Sequence, residues 1–264
     1  MIATNPLLDI YVHLTERGEL QISTYSQALR EARQLLNAEF HAGQDIHNLL
    51  RYHSDFIDAL LCHLWAIHGV NTPEKAALVA VGGYGRQELH PASDIDLLIL
   101  LVAEPQEECR ERLAAFITLL WDIGLEVGHS VRTLTECIEE ARKDLTVITN
   151  LIEARFLAGN QQLFTALNAA TDNTQMWDSP DFFLGKLAEQ HQRYQKFGDA
   201  SHRVEPNLKE GRGGLRDIQT IGWVTQRKYG TFSLQELYEK RLLEYDEYET
   251  LREGRRFLWR IRFA

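Results

Sequence analysis

The sequence has 264 residues, a mass of 30.4 kDa and a formal net charge of −10 at pH 7. Its 44% hydrophobic and 25% charged residues are typical of a folded globular chain and exclude an intrinsically disordered one. The acidic balance disfavours bulk electrostatic binding to nucleic acid. The longest apolar run, Leu97–Ala103, is far shorter than the ~20 residues of a membrane-spanning helix.

The cysteines indicate the compartment. Cys62, Cys109 and Cys137 form no CxxC pair, which disfavours both a disulfide framework and a zinc ribbon. The first twenty residues carry acidic side chains and no basic region, so they do not resemble a signal peptide. We therefore predict a cytoplasmic protein.

The chain begins with a helical pattern. Apolar residues recur at three- and four-residue steps across residues 6–69, and Asn71–Pro73 interrupts them. Residues 1–70 are therefore predicted to form a helical N-terminal extension.

An alternation of short apolar runs and an amphipathic segment follows, over residues 71–140. It predicts an α+β core with a small mixed sheet, flanked by helices on both sides. Thr133 and Glu136 have the spacing of a capping box at the start of a further helix. The predicted strands and the helix among them are Ala76–Val81, Asp94–Val102, Glu107–Asp122 and Leu125–Val131.

The remaining residues, 141–264, are predicted to be helical. A glycine-rich basic loop interrupts them between His202 and Arg216, and Asp217 is expected to cap the helix Ile218–Tyr229, with Gly230 ending it. The helical pattern continues to Ala264 without a stop signal, so we expect the chain to be the front part of a longer protein.

Two acidic residues that follow a pair of glycines after a ten-residue connection are the candidates for the chemistry. Asp94 and Asp96 open the second predicted strand, and its two-residue period places them on one face, about 7 Å apart. Two carboxylates at that spacing suit Mg²⁺, which takes oxygen ligands and completes its shell with water and substrate phosphates. Gly82 and Gly83, after the first strand, would let backbone N–H groups approach a phosphate closely.

Other glycine motifs are excluded. A dinucleotide fingerprint would need glycine at position 88, where Glu88 stands, and no Gly-Lys-Ser/Thr of a P-loop occurs.

Three blocks of sequence resemble a known family. Gly-Gly, a spacer and a hydrophobic-flanked Asp-x-Asp resemble the DNA polymerase β-like nucleotidyltransferase superfamily. The fuller strings resemble its bacterial PII uridylyltransferase/uridylyl-removing family, and the first 65 residues match only in helical character. The strings are GGYGRQELHPASDIDLL from Gly82, WDIGLEVGHSVRT from Trp121 and EPNLKEGRGGLRDIQTIGW from Glu205.

The resemblance implies a reaction and a partner. A tyrosine hydroxyl of the PII nitrogen-signalling protein would attack the α-phosphorus of UTP, with release of pyrophosphate. Asp94 and Asp96 would hold Mg²⁺, and Gly82 and Gly83 would cradle the triphosphate. Ser93 is expected to donate to a phosphate oxygen, with a turn residue as the alternative.

Three further cations are candidates for phosphate contacts. Arg86 would reach a phosphate, unless it is merely an exposed arginine in a turn. Lys209 and Arg216 would do so from the glycine-rich loop, in which the charge between His202 and Arg216 sums to about +2; the alternative is a plain turn between helices.

A third carboxylate, usual in the superfamily, is weakly represented. Glu126 is the only acid in the third predicted strand and stands at its edge, so it is the candidate third metal ligand. His129 would contact a phosphate or be a paired core histidine. The general base for the tyrosine proton is left unassigned.

Two alternative functions are kept open. One is an adenylyltransferase of the type that modifies glutamine synthetase, which shares the Gly-Gly and Asp-x-Asp core. The other is a nucleotidyltransferase fold that senses nucleotide without catalysis. No His-Asp dipeptide occurs in the chain, so the hydrolase domain that removes UMP in the resembled family, and its glutamine-sensing domains, are expected to lie outside it.

Overall fold

The computed structural model describes residues 5–16, 21–68, 75–197 and 207–264. The N-terminal helices are α1 (Leu7–Thr15), α2 (Ile22–His41) and α3 (Ile46–His68). Next come β1 (Ala76–Ala80), α4 (Gly82–Gly85), β2 (Ile95–Leu101), α5 (Glu107–Asp122), β3 (Val127–Thr133), α6 (Leu134–Lys143), α7 (Leu145–Ile152) and β4 (Arg155–Gly159). The last helices are α8 (Gln161–Ala170), α9 (Ser179–Phe197), α10 (Leu215–Tyr229), α11 (Leu234–Glu239) and α12 (Tyr245–Phe263).

The four strands form one mixed sheet in the order β3-β2-β1-β4. Strand β1 pairs antiparallel with β2 and β4, whereas β2 and β3 run parallel and are joined through α5. All five residues of β1 are buried, as expected for a central strand. The predicted α+β class with a small mixed sheet flanked by helices is confirmed.

The expectation that the sheet is built from residues 71–140 alone was wrong. Strand β4 lies beyond that range, at the edge next to β1. Its sequence, Arg-Phe-Leu-Ala-Gly, contains no β-branched residue and follows a helix directly. The free edge of β1, rather than the local sequence, makes this segment a strand.

The chain divides into two compact units. The first comprises residues 1–139 and 153–169, and the second comprises residues 140–152 and 170–264. The N-terminal helices and the sheet therefore belong to the same unit, whose core includes Phe56 and Leu60 of α3 and Phe116 of α5.

The second unit is helical. Helix α10 contacts α7, α9 and α12, and α11 contacts α12. The indole of Trp223 and the ring of Phe182 are buried in its core. Arg227 is also buried, and its guanidinium donates to the carbonyl oxygens of Thr171 and Trp177, at 2.6 and 2.9 Å, and to that of Met176.

Several predicted helix boundaries are confirmed. Helix α5 has the predicted bounds, and Gly230 ends α10 with a left-handed φ of 72°. At the start of α6, the N–H of Thr133 donates to Glu136 at 2.7 Å and the N–H of Glu136 donates back to the Thr133 hydroxyl at 3.3 Å. The bonds that the N–H and the hydroxyl of Thr133 donate to the Glu136 carboxylate lower its pKa. The predicted break at Asn71–Pro73 lies outside the described residues.

Candidate active site

The carboxylate of Asp96 lies between two glycines. Asp96 is the exposed residue between buried Ile95 and Leu97 of β2, and the parallel register pairs it with Gly128 of β3. A Cβ built on Gly82 would lie 2.9 Å from one carboxylate oxygen, and a Cβ built on Gly128 would lie 2.8 Å from the other. Both glycines therefore leave the space that the carboxylate occupies.

Asp94 and Glu126 stand one residue before the paired parts of β2 and β3. The N–H of Ile95 donates to the carbonyl of Glu126 at 2.8 Å, so the pairing continues up to these two residues. Both carboxylates are exposed. Strand β3 begins two residues later than predicted, which places Glu126 just before it.

Among the described residues, no three His, Cys, Asp or Glu side chains converge to form a complete metal site. The donor chemistry nevertheless suits a hard cation, because Asp94 and Asp96 flank one buried residue and supply oxygen ligands only. Water and phosphate oxygens would complete the shell of such a cation. A metal role for Glu126 stays a prediction.

The glycines after β1 form a single helical turn, α4. Gly82 has a φ of 59°, which favours glycine, and a Cβ on Gly85 would overlap the carbonyl oxygen of Glu153. At Gly83 a Cβ would make only an ordinary contact, 3.7 Å from Arg86. Because N–H groups in the first turn of a helix have no helical partner, those of Gly82 and Gly83 are suited to an anionic ligand.

Arg86 is held by carboxylates. Its side chain is 14% exposed, and its guanidinium bonds Glu88 at 2.9 Å and pairs with Glu153 as well. Burial opposes its charge, but the two carboxylates outweigh burial and raise the pKa of Arg86. Three of its five N–H donors bond these carboxylates, so a phosphate contact for Arg86 stays a prediction. Arg86 is not the exposed turn arginine considered as the alternative.

Tyr84 is buried and joined to two residues far away in the sequence. Its hydroxyl donates to Asp58 of α3 at 2.5 Å, and Arg155 of β4 binds the same carboxylate at 2.5 and 3.0 Å. Burial and the nearby Asp58 raise the pKa of Tyr84 well above its usual value. Sequence reasoning missed Asp58 and Arg155, because no local spacing connects residues so far apart.

Ser93 lies at the end of the connection that leads into β2. It is half-buried, and its N–H donates to the carbonyl of His90 at 3.0 Å. A cavity of about 260 Å³ opens beside it, lined also by Glu126, His53 and Arg33. His53 bonds the carbonyl of Leu89 at 3.0 Å, and burial lowers its pKa to about 4.

His129 is neither buried nor in the sheet's core. It is an exposed residue of β3, paired in register with Leu97, and its ring centroid lies 5.7 Å from that of the exposed Trp121. The core-histidine alternative was therefore wrong.

Lys209 and Arg216 belong to the second unit. Lys209 is exposed, whereas Arg216 binds Glu210 at 3.1 Å and lies over the Trp223 ring at 5.2 Å. Part of the predicted basic loop, residues 202–206, lies outside the described residues.

Asp217 does not cap its helix as predicted. Helix α10 begins at Leu215, so Asp217 lies in the first turn. It accepts from Tyr194 at 2.6 Å, from the N–H of Gly213 at 2.8 Å and from Arg193, and it thereby fastens the loop.

Comparison with known proteins supports the resemblance. Residues 181–264 match the family described as GlnD PII-uridylyltransferase, and residues 30–131 match the DUF294 nucleotidyltransferase family. A bifunctional uridylyltransferase/uridylyl-removing enzyme of Stutzerimonas stutzeri is 48% identical over 92% of this chain and 27% of its own length. The enzyme of the same name from Pseudomonas entomophila is 47% identical over 95% of this chain and 29% of its own length. The enzyme of the same name from Azotobacter vinelandii is 47% identical over 92% of this chain and 27% of its own length.

The chain thus spans little more than a quarter of the length of the curated relatives it matches. Their identity nevertheless extends through both units, and the nucleotidyltransferase match includes the Gly-Gly turn and the Asp-x-Asp strand. By sequence, the chain is therefore related to the bifunctional uridylyltransferase/uridylyl-removing enzymes over part of their length, and its residues 30–131 match a nucleotidyltransferase family.

Proposed function

We propose that the chain transfers UMP from UTP to a tyrosine of the PII signalling protein. The oxygen of the tyrosine bonds to the α-phosphorus, the bond from that phosphorus to the bridging oxygen breaks, and pyrophosphate leaves while the tyrosine proton passes to solvent. The observation that carries the proposal is the exposed Asp96 carboxylate between Gly82 and Gly128, next to the α4 turn.

The residues would divide the work as follows. Asp94 and Asp96 would hold Mg²⁺, which when bound neutralises phosphate charge and supports the leaving group. The first N–H groups of α4 would bind phosphate oxygens, with Ser93 as a further donor. Lys209 is the exposed cation proposed to contact the nucleotide from the glycine-rich loop.

The compartment proposed is the cytoplasm, and no nucleic-acid partner is proposed. Among the described residues, no helix is long and apolar enough to cross a membrane. Removal of UMP from PII would be carried out by other domains of a full-length protein.

The test incubates the chain with UTP, Mg²⁺ and purified PII and measures the intact mass of PII. One added uridylyl group, absent with the Asp94→Asn/Asp96→Asn variant, is expected. Transfer from ATP to glutamine synthetase instead would favour the adenylyltransferase alternative. Binding of UTP without pyrophosphate release would favour a nucleotide-sensing module.

A further inference from the structure

An ion pair between helix α3 and strand β4 lies against the α4 turn. Arg155 binds both carboxylate oxygens of Asp58, at 2.5 and 3.0 Å. The side chains are only 26% and 21% exposed. Burial opposes the charge on Arg155, but Asp58 outweighs burial and raises the pKa of Arg155. Arg155 therefore keeps its charge at neutral pH.

Arg155 also contacts the turn itself. Its Nε donates to the carbonyl of Gly85 at 3.2 Å, and a terminal nitrogen donates to the carbonyl of Tyr84 at 3.3 Å. The guanidinium lies 5.3 Å from the centre of the Tyr84 ring, whose hydroxyl returns to Asp58. One arginine thus bonds a carboxylate and two consecutive backbone carbonyls.

The carbonyls that Arg155 holds are at the end of α4, and the proposed phosphate-binding N–H groups are at its start. The two ends are coupled, because the N–H of Gly85 donates to Val81 at 2.9 Å and the N–H of Arg86 donates to Gly82 at 3.2 Å. A turn of four residues has little freedom to move one end while the other is fixed.

We propose that the Asp58–Arg155 pair is a positioning device that sets the conformation of the α4 turn for binding the triphosphate of a nucleotide. The ligand in this statement rests on the proposed function, whereas the effect on the turn does not. Arg155 acts through the backbone of Tyr84 and Gly85 and is a positioning residue.

The bonds made by residue 155 require an arginine rather than another cation. A guanidinium presents five N–H donors in a fixed plane, and here it serves Asp58, Tyr84 and Gly85 together. A lysine would keep the charge, but its three donors on one atom cannot reach the same acceptors. Arg155→Lys therefore separates positioning from charge.

The first measurement is hydrogen exchange of the amides of residues 81–88 in the ligand-free chain. Arg155→Lys and Asp58→Asn are expected to speed exchange there about tenfold, because the turn opens more easily. Tyr84→Phe removes only the bond between the hydroxyl and Asp58, so a smaller change is expected. Arg227→Lys is the matched control, since it also loses guanidinium bonds to backbone carbonyls but none to α4.

The second measurement is steady-state uridylyl transfer. For folded Arg155→Lys, the KM for UTP should rise about tenfold while kcat stays within about threefold, the pattern of lost uniform binding. Arg227→Lys should lower the thermal midpoint and leave this KM unchanged.

The outcomes separate the two proposals. A wild-type chain that transfers nothing from UTP would refute the proposed function, while hydrogen exchange, together with calorimetric binding of UTP and Mg²⁺, would still decide the role of Arg155. Unchanged exchange in Arg155→Lys would overturn the positioning role. Faster exchange with an unchanged KM or binding constant, or a fall in kcat alone, would also overturn it.

Discussion

Two connections rich in glycine serve different purposes in this chain. In the first unit, Gly82 and Gly128 stand where a Cβ would meet the carboxylate of Asp96. In the second unit, a Cβ on Gly214 would lie 2.8 Å from the carbonyl oxygen of Leu208, with two more backbone oxygens within 3.0 Å. Gly82 and Gly128 leave room for the Asp96 carboxylate, and Gly214 leaves room for the backbone of its own loop.

The charged side chains near α4 and those near the start of α10 also have different surroundings. Near α4, Asp94 and Asp96 are exposed, while Arg86 is enclosed by carboxylates. In the first turn of α10, Arg216 and Asp217 are both engaged in bonds to the loop that precedes the helix. Glycine and charge content alone therefore do not distinguish the two regions; the atoms that face each glycine do.

The largest expected effect is at the carboxylates. Asp94→Asn or Asp96→Asn should lower uridylyl transfer by at least about 10²–10³-fold, because the site loses charge that holds the cation. The thermal midpoint should stay near that of wild type, since both side chains are exposed. Activity assays and thermal unfolding of the same preparations test this. An active double variant would contradict it.

A pair of glycine variants tests the comparison directly. In Gly128→Ala the new Cβ meets only the end of the Asp96 side chain, so transfer should fall about 10- to 100-fold while stability changes little. In Gly214→Ala it meets three backbone oxygens, so the free energy of unfolding should fall by about 1–3 kcal/mol. Chemical denaturation and transfer assays give both values. The same profile for both variants would remove the distinction.

Asp217 provides a smaller effect within the second unit. Asp217→Asn keeps the shape but weakens the bonds from Arg193, Tyr194 and the N–H of Gly213, and it should cost about 1–2 kcal/mol of stability. A fall of several degrees in the thermal midpoint would show it. Glu239→Gln, at an exposed helix position, is the control. An unchanged midpoint would mean that the loop does not depend on this carboxylate.

A pH effect is expected at His53, which supports the connection into β2 through Leu89. The folded pKa of about 4 lies below the unfolded value of 6.5, so between these pH values only the unfolded chain takes up the proton. The free energy of unfolding should therefore fall as the pH drops from about 6.5 to 4, by about 1–3 kcal/mol. Burial is the main cause, and Arg33 adds to it. Denaturation of wild type and His53→Gln across this range should converge at low pH; parallel curves would contradict the assignment.

Local sequence patterns predicted much of the fold. The helix α5, the Thr133–Glu136 capping box and the terminal Gly230 depend on neighbours a few residues away, and all three are as expected. Strand β2 was predicted for the same reason, because an apolar run follows Asp96 in the sequence; it begins at Ile95, one residue after the predicted start at Asp94.

Features that depend on distant partners were not predicted. Strand β4 exists because β1 offers a free edge, and the paired position of Gly128 depends on the register between β2 and β3. The Asp58–Arg155 pair spans 97 residues of sequence. Periodicity and spacing carry no record of such pairings, so the support of the site is visible only in the folded chain.

The placement of β4 determines how the first unit is assembled. Helix α7 belongs to the second unit and precedes β4 in the chain. A ribosome therefore synthesises part of the second unit before the first unit is complete. A nascent chain that has not yet exposed Glu153 and Arg155 already carries every residue of the Gly-Gly and Asp-x-Asp pattern. It already contains Glu88 and Tyr84, but it lacks Glu153, the second partner of Arg86, and Arg155, the arginine partner of Asp58. The α4 turn therefore gains these two supports only after synthesis has passed helix α7.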